Sequence, residues 1–306
     1  MVVGLRGEPG LVRAALGGVY EVELHHGGVV EAVLRGRLKQ EQRTGDAVVV
    51  GDRVEVASHE DGGHTIEAVS PRSTELARVA PGTGRHRAKV MAANVDQVVV
   101  VFAVTRPAPR LRMVDRFLVL AEANELDAIV VANKVDLGDD TDREVFYIYR
   151  DVGYPVLFTS AQTGQGVAML RDQLCGRISA LAGPSGAGKS SLLNAVEPGL
   201  GLRTGAVSEA VGKGRHTTVS SRLIPLGCGG YVADTPGLRE VGLWGIDRLD
   251  LDYLFPEFRE HLDVCRFGRS CSHTHEPECG VRDAVAAGAV SPARFESYAA
   301  LVAGDD

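Results

Sequence analysis

Apolar and polar positions alternate along the first part of the chain. Gly18 to Glu23, Val29 to Leu34 and Ala47 to Val56 alternate or run apolar, and Ile66 to Val69 adds a shorter stretch. Between them lie Gly27-Gly28, Gly45-Asp46 and Gly51-Asp52, which signal turns. Short strands without a convincing helix predict a small all-β unit over residues 1–84, and the five strands of an oligonucleotide-binding (OB) barrel suit that length.

From about residue 90 the period changes. Val95 to Val104 is a near-continuous apolar run, as in a strand buried on both faces. Leu111 to Leu126 carries apolar residues at 114, 117, 118, 120 and 121, a helical stripe. Further strands are predicted over 127–132, 156–159 and 177–182, with helices over 142–152, 166–174 and 191–196. Strands near 220–225 and 230–233 follow a glycine-rich stretch, 198–216. This alternation predicts a parallel, doubly wound α/β unit over 85–250. Helical stretches over 280–287 and 292–303 belong to a third unit, 251–306.

Composition narrows the class. A chain of 306 residues with 44% hydrophobic and 24% charged residues reads as an ordinary soluble protein of two or three domains. The longest apolar run is far too short to span a bilayer, and the first residues do not resemble a signal peptide. The expected location is cytoplasmic, with no membrane partner, and no amphipathic surplus demands more than a monomer. A net charge of −7 argues against a surface coated for nucleic acid. The predicted barrel itself holds nine Lys and Arg against twelve Asp and Glu. Nucleic-acid contact would need local patches, such as Arg35 to Arg43 or Arg85 to Lys89.

Five cysteines divide into two isolated ones, Cys175 and Cys228, expected to be small buried apolar residues, and a cluster. The cluster, Cys265-x5-Cys271-x-His273-x5-Cys279, offers a Cys3His set for one zinc ion, with His275 as a rival ligand. Four protein ligands leave no open position, so the role would be structural.

The strongest chemical signal is Gly183-Pro184-Ser185-Gly186-Ala187-Gly188-Lys189-Ser190-Ser191, a phosphate-binding loop between a predicted strand and helix. Its glycines let backbone N–H groups curl around phosphate oxygens. Lys189 would reach the β- and γ-phosphates and act in catalysis by stabilising their charge, and Ser190 would coordinate Mg²⁺. Asn133-Lys134-Val135-Asp136 closes the strand at 127–132. The Asp136 carboxylate would accept two hydrogen bonds from guanine, and Lys134 would pack on the base. Asn133 would reach the base's other edge or tie down the phosphate loop. Ser160-Ala161, one βα unit later, would offer a backbone N–H to the guanine oxygen. Asp234-Thr-Pro-Gly237 would bring Asp234 near Mg²⁺ and Gly237 to the γ-phosphate. Of Thr217 and Thr218 we prefer Thr217 to complete the Mg²⁺ shell. Leu238 stands where many GTPases carry a water-orienting glutamine, so His216 is the candidate to hold the attacking water.

These motifs run in an unusual order, with Asn-Lys-x-Asp and Ser-Ala ahead of the phosphate loop. A sheet cut and rejoined in this way keeps its site, because the ligand meets strand ends whatever their order. The barrel, the permuted GTPase motifs and the C-terminal Cys/His cluster together resemble the ribosome small-subunit-dependent GTPase A family (RsgA-type). Val50-Gly-Asp-Arg-Val54 and Gly214-Arg-His-Thr-Thr218 also look like that family. The resemblance favours His273 as the fourth zinc ligand, although the Cys265–Cys271 spacing is one residue longer than the family often has. It implies GTP hydrolysis with Mg²⁺, stimulated by the small ribosomal subunit in late maturation of that subunit, with rRNA contacts from the barrel and zinc unit. The alternative is a nucleotide-gated RNA-binding adaptor in which turnover is incidental.

Overall fold

The computed structural model describes residues 7–36, 38, 47–79, 88–202, 221–234 and 250–304. The barrel is made by β1 (Glu8–Leu16), β2 (Val19–Leu24), β3 (Val29–Leu34), β4 (Arg53–Ser58) and β5 (His64–Val69). Their order is β1-β2-β3-β5-β4, and pairing of β1 with β4 closes the ring. Val12, Tyr20, Val22, Leu24, Val54, Val56 and Ile66 fill the interior, so the alternation on β2 is the barrel's inside and outside. A two-residue turn, Gly17-Gly18, joins β1 to β2 with both φ angles positive, as such hairpins require.

Two expectations change here. Strand β1 has no counterpart in the sequence reading, because Pro9, Gly10 and its alanines mask the alternation. The stretch 47–56 is not one strand: the chain turns at Val50-Gly51, and only Arg53 onward pairs. Gly51 has φ +87°, and a Cβ there would lie 2.0 Å from the Ala93 carbonyl oxygen. Asp52 is buried beside it and accepts from Val49 N at 2.8 Å and from Arg72 at 2.8 Å. This turn abuts a separate antiparallel pair, β6 (Glu75–Val79) and β7 (Ala88–Ala93).

The second unit is the expected parallel sheet: β8 (Gln97–Ala103), β9 (Asp127–Asn133), β10 (Val156–Thr159), β11 (Ile178–Ala182) and β13 (Tyr231–Asp234), with β12 (Arg222–Pro225) antiparallel at one side. The strand order is β10-β9-β8-β11-β13-β12. All of β8 is buried, and its residues divide by parity. Val98, Val100 and Phe102 pack with Phe117 and Leu118 of α1 (Leu111–Ala123). Val99 and Val101 face Leu170 and Leu174 of α4 (Val167–Leu174) and Leu192 of α5 (Lys189–Val196). Burial on both faces is what the continuous apolar run encodes. The helix expected over 142–152 is two short ones, α2 (Asp140–Glu144) and α3 (Tyr147–Val152). A capping box between Asp139 and Asp142 starts the first.

The barrel and the parallel sheet are continuous, since Ala14 of β1 pairs with Arg222 of β12 and Arg222 meets Glu21 at 3.2 Å. Cys175 and Cys228 are not separate buried thiols. They form a disulfide between the end of α4 and the β12–β13 turn. The fold brings together two positions 53 residues apart. The C-terminal unit packs α6 (Arg259–Leu262), α7 (Gly280–Ala286) and α8 (Pro292–Ala303) around Phe255, Phe258 and Tyr298, with Val119 of α1 in the same core. Among the described residues no helix is long and apolar enough to cross a membrane.

Candidate functional site

The C-terminal ends of β10, β9, β8, β11 and β13 lie along one edge of the parallel sheet in that order, and the loops leaving them form the site. After β11 the chain turns through the phosphate loop into α5. Gly183 has φ +132°, and a Cβ on it would stand 2.1 Å from the Val101 carbonyl oxygen. Gly188 has φ +91° and caps α5, and its Cβ would stand 2.5 Å from Asn133 Nδ2. Only glycine satisfies both demands at these points. Lys189 folds back over the loop, with Nζ donating to the carbonyl oxygens of Gly183 at 2.6 Å and Pro184 at 2.8 Å. Ser190 and Ser191 occupy the first turn of α5.

The base loop leaves β9. Asn133 is buried, donates from Nδ2 to Ala187 O at 3.0 Å and accepts from Thr159 Oγ1 at 3.1 Å. Of the two contacts expected of Asn133, it makes the one that ties down the phosphate loop. Val135 N donates to Thr159 O at 3.2 Å, binding the β9 loop to β10. Ser160 Oγ donates to Asp136 Oδ1 at 2.5 Å, so the serine orients the carboxylate. The Ser160 N–H is taken by Gln165 O at 2.9 Å, whereas Ala161 follows it in the turn.

Lys134 brings in a loop the sequence reading did not use. Its Nζ donates to Arg106 O at 2.7 Å, and Pro107 Cδ lies 3.6 Å from where a Gly186 Cβ would be. The segment after β8 thus touches both the base loop and the phosphate loop. The available signal was topological: it too leaves the C-terminal end of a strand in this sheet. A cavity of about 540 Å³ lined by Gln97, Asp127, Tyr154, Gln173 and Arg177 opens at the opposite end, among the strand starts. It is separate from these loops.

Asp234 closes β13, next to β11. Gly237, Leu238, His216, Thr217 and Thr218 lie outside the described residues.

In the C-terminal unit, Cys265, Cys271, His273 and Cys279 are buried, with ligand atoms all within 4.8 Å of one another. His273 Nδ1 is 3.3 Å from Cys279 Sγ and 3.5 Å from Cys265 Sγ, and the two sulfurs are 3.9 Å apart. Sulfurs about 2.3 Å from one tetrahedral ion stand about 3.8 Å apart, so the donor set fits zinc. The far ring nitrogen, Nε2, is 3.2 Å from Asp252 Oδ2, a carboxylate placed to orient the ring. Gly280 N donates to Cys265 Sγ at 3.3 Å. Burial pushes the Cys271 thiol up to about 12 and raises that of Cys279, against hydrogen bonds from the backbone. A cation among them would reverse that preference. His275 is exposed, beside Thr274 and Glu276, and is not part of the cluster.

Comparison with known proteins settles the family. Residues 69–244 match the RsgA GTPase model and residues 9–66 the RsgA N-terminal domain. The chain belongs to the RsgA GTPase family. A protein of Gemmatimonas aurantiaca named small ribosomal subunit biogenesis GTPase RsgA is 53% identical over 95% of both chains. One of the same name from Moorella thermoacetica is 43% identical over 94% of this chain and 93% of its own. The crystal structure of YjeQ from Thermotoga maritima superposes with a TM-score of 0.79 at 37% identity, covering 97% of this chain and 98% of the other. YloQ, described as a circularly permuted GTPase, gives 0.76 at 30% identity over 100% and 97%.

As an RsgA GTPase, the chain has the permuted order anticipated from its motifs, a closed N-terminal barrel and a C-terminal Cys/His cluster. The fold joins Asn133, Asp136, Ser160 and the phosphate loop into one hydrogen-bonded cradle at three strand ends.

Proposed function

We propose that this RsgA GTPase hydrolyses GTP when stimulated by the small ribosomal subunit and acts in the late maturation of that subunit, in the cytoplasm and as a monomer. The observation that carries the reading is the likeness, over nearly the whole chain, to relatives named small ribosomal subunit biogenesis GTPase. The barrel and the zinc unit would supply the rRNA contacts.

In this reading Asp136, held by Ser160, accepts from the two donors on the guanine edge, and Ala161 N–H meets its oxygen. Adenine has no matching donor pair, so it would leave the carboxylate unpaired. The N–H groups of residues 183–191 surround the phosphates, with Lys189 moving from its two carbonyls onto the β- and γ-oxygens. Ser190, Asp234 and Thr217 would hold Mg²⁺, which when bound neutralises charge on the phosphates. Gly237 would contact the γ-phosphate, and His216 would position water in place of the glutamine absent at Leu238. Zinc held by Cys265, Cys271, His273 and Cys279 is structural.

The test is GTP turnover titrated with purified small and large subunits at stated salt, since phosphate contacts are salt-dependent. Stimulation by small subunits is expected. Stimulation by large subunits alone would overturn the reading. Binding to small subunits without any change in rate would favour a nucleotide-gated adaptor.

A further inference from the structure

The Cys175–Cys228 disulfide lies at the end of the sheet opposite the phosphate loop. Cys175 follows α4 and sits three residues before β11, the strand that carries the phosphate loop. Cys228 sits in the turn between β12 and β13. The two turns are packed by their backbones as well. Tyr231 N donates to Arg177 O at 2.8 Å, and a Cβ on Gly230 would lie 2.2 Å from Leu174 O. These contacts keep the sulfurs near each other when the bond is open. Both cysteines are half-buried, so a small thiol can reach them.

The β12–β13 hairpin has two other attachments, and Asp234 ends it beside the strand that carries the phosphate loop. Val232 and Ala233 of β13 pair with Ser179 and Ala180 of β11. On its outer side, Arg222 pairs with Ala14 of the barrel and with Glu21. The hairpin is therefore tied covalently to the α4–β11 turn and by hydrogen bonds and an ion pair to the barrel. It also lies in sequence between the two segments expected to sense the γ-phosphate.

We propose that Cys175 and Cys228 are a reversible thiol–disulfide site that clamps this hairpin to the phosphate-loop strand when oxidised. The oxidant is a small-molecule disulfide. One cysteine thiolate attacks a sulfur of the oxidant and expels one small thiolate, giving a mixed disulfide. The second cysteine thiolate attacks the protein sulfur of that bond and expels the other small thiolate. Two protein thiols lose two electrons to the oxidant, and their two protons leave with the two small thiols. Excess small thiol runs the exchange backward. A glutathione-buffered compartment, which the proposed function implies, would keep the clamp open until the poise shifts. The effect on turnover rests on that reading of the hairpin's flanks, whereas the exchange itself does not.

The experiment uses the full chain equilibrated in mixtures of reduced and oxidised glutathione. Free thiols are alkylated, and the 175–228 linkage is read by peptide mass mapping. Basal GTP turnover, which needs no ribosomal partner, is measured on the same samples. The bond is expected to close in oxidised and open in reduced glutathione. Closure is expected to slow turnover by roughly 5- to 150-fold, the range of ordinary coupling between two sites. Cys175→Ser and Cys228→Ser should each turn over at the reduced rate in every mixture. A bond that persists in excess reduced glutathione, or thiols that never pair in oxidised glutathione, would overturn the site. Equal turnover with the bond open and closed would overturn the clamp.

Discussion

The guanidinium of Arg294 meets the carboxylate of Asp115 at 2.6 Å, and both side chains are shut off from solvent. Arg294 belongs to α8 of the C-terminal unit and Asp115 to α1 of the parallel-sheet unit. Glu257 takes the other side of the guanidinium at 2.6 and 3.1 Å, and the Phe255 ring lies 4.5 Å from its carbon. Burial works against the Arg294 charge, but the two carboxylates outweigh it and raise its pKa. The pairing joins the C-terminal unit to helix α1 of the parallel-sheet unit.

Removing one partner leaves buried charge behind. Arg294→Met is expected to cost about 3–5 kcal/mol in a urea titration. Replacing Arg294, Asp115 and Glu257 together by apolar residues of similar volume should recover most of that loss. A triple variant no more stable than the single one would contradict this account.

Gly183→Ala places a Cβ 2.1 Å from Val101 O at φ +132°. Backbone strain of about 1–3 kcal/mol adds to the collision. The loop must shift, and GDP binding followed by calorimetry should be lost while the far-ultraviolet dichroism of the sheet persists.

Asp136→Asn should weaken guanine nucleotides by at least about 1–3 kcal/mol, because one hydrogen bond is replaced by opposed donors. Xanthine carries a carbonyl where guanine has its amine, so xanthosine diphosphate should gain affinity. Competition binding of the two nucleotides reads both changes. Ser160→Ala, which frees the Asp136 carboxylate, should produce a smaller loss for guanine.

One zinc per chain is the expected metal content. Asp252→Asn leaves all four candidate ligands in place but weakens the partner of His273 Nε2. Metal affinity should fall about 10–100-fold in a chelator competition. An unchanged affinity would remove Asp252 from the site.

His216→Ala should retain GTP binding and lose turnover stimulated by small subunits. Binding and single-turnover rates, measured side by side, separate the two. Undiminished stimulated turnover would take His216 out of the mechanism.

Much of the site was legible locally. The Gly183, Gly186 and Gly188 spacing announces a curled backbone, since all three have positive φ. The apolar run at 95–104 announces a strand covered on both sides. Signals of this kind survive in one dimension because each residue's own conformation or its near neighbours impose them. Strand β1 was hidden because only Val12 and Ala14 within it are deeply buried, and Pro9 and Gly10 read as a turn. The 50–51 turn was hidden by valines that pack without pairing as a strand.

By itself, the amino-acid sequence determined the two periodicities, the permuted order of the nucleotide motifs and a ligand set suited to zinc. Tertiary structure decided which distant residues meet. It gave Asn133 to Ala187, Ser160 to Asp136, Arg106 O to Lys134 and Cys175 to Cys228. It also closed β1 on β4 and joined β1 to β12. Such contacts depend on how strands are ordered across the sheet, and neighbouring residues along the chain do not encode that order.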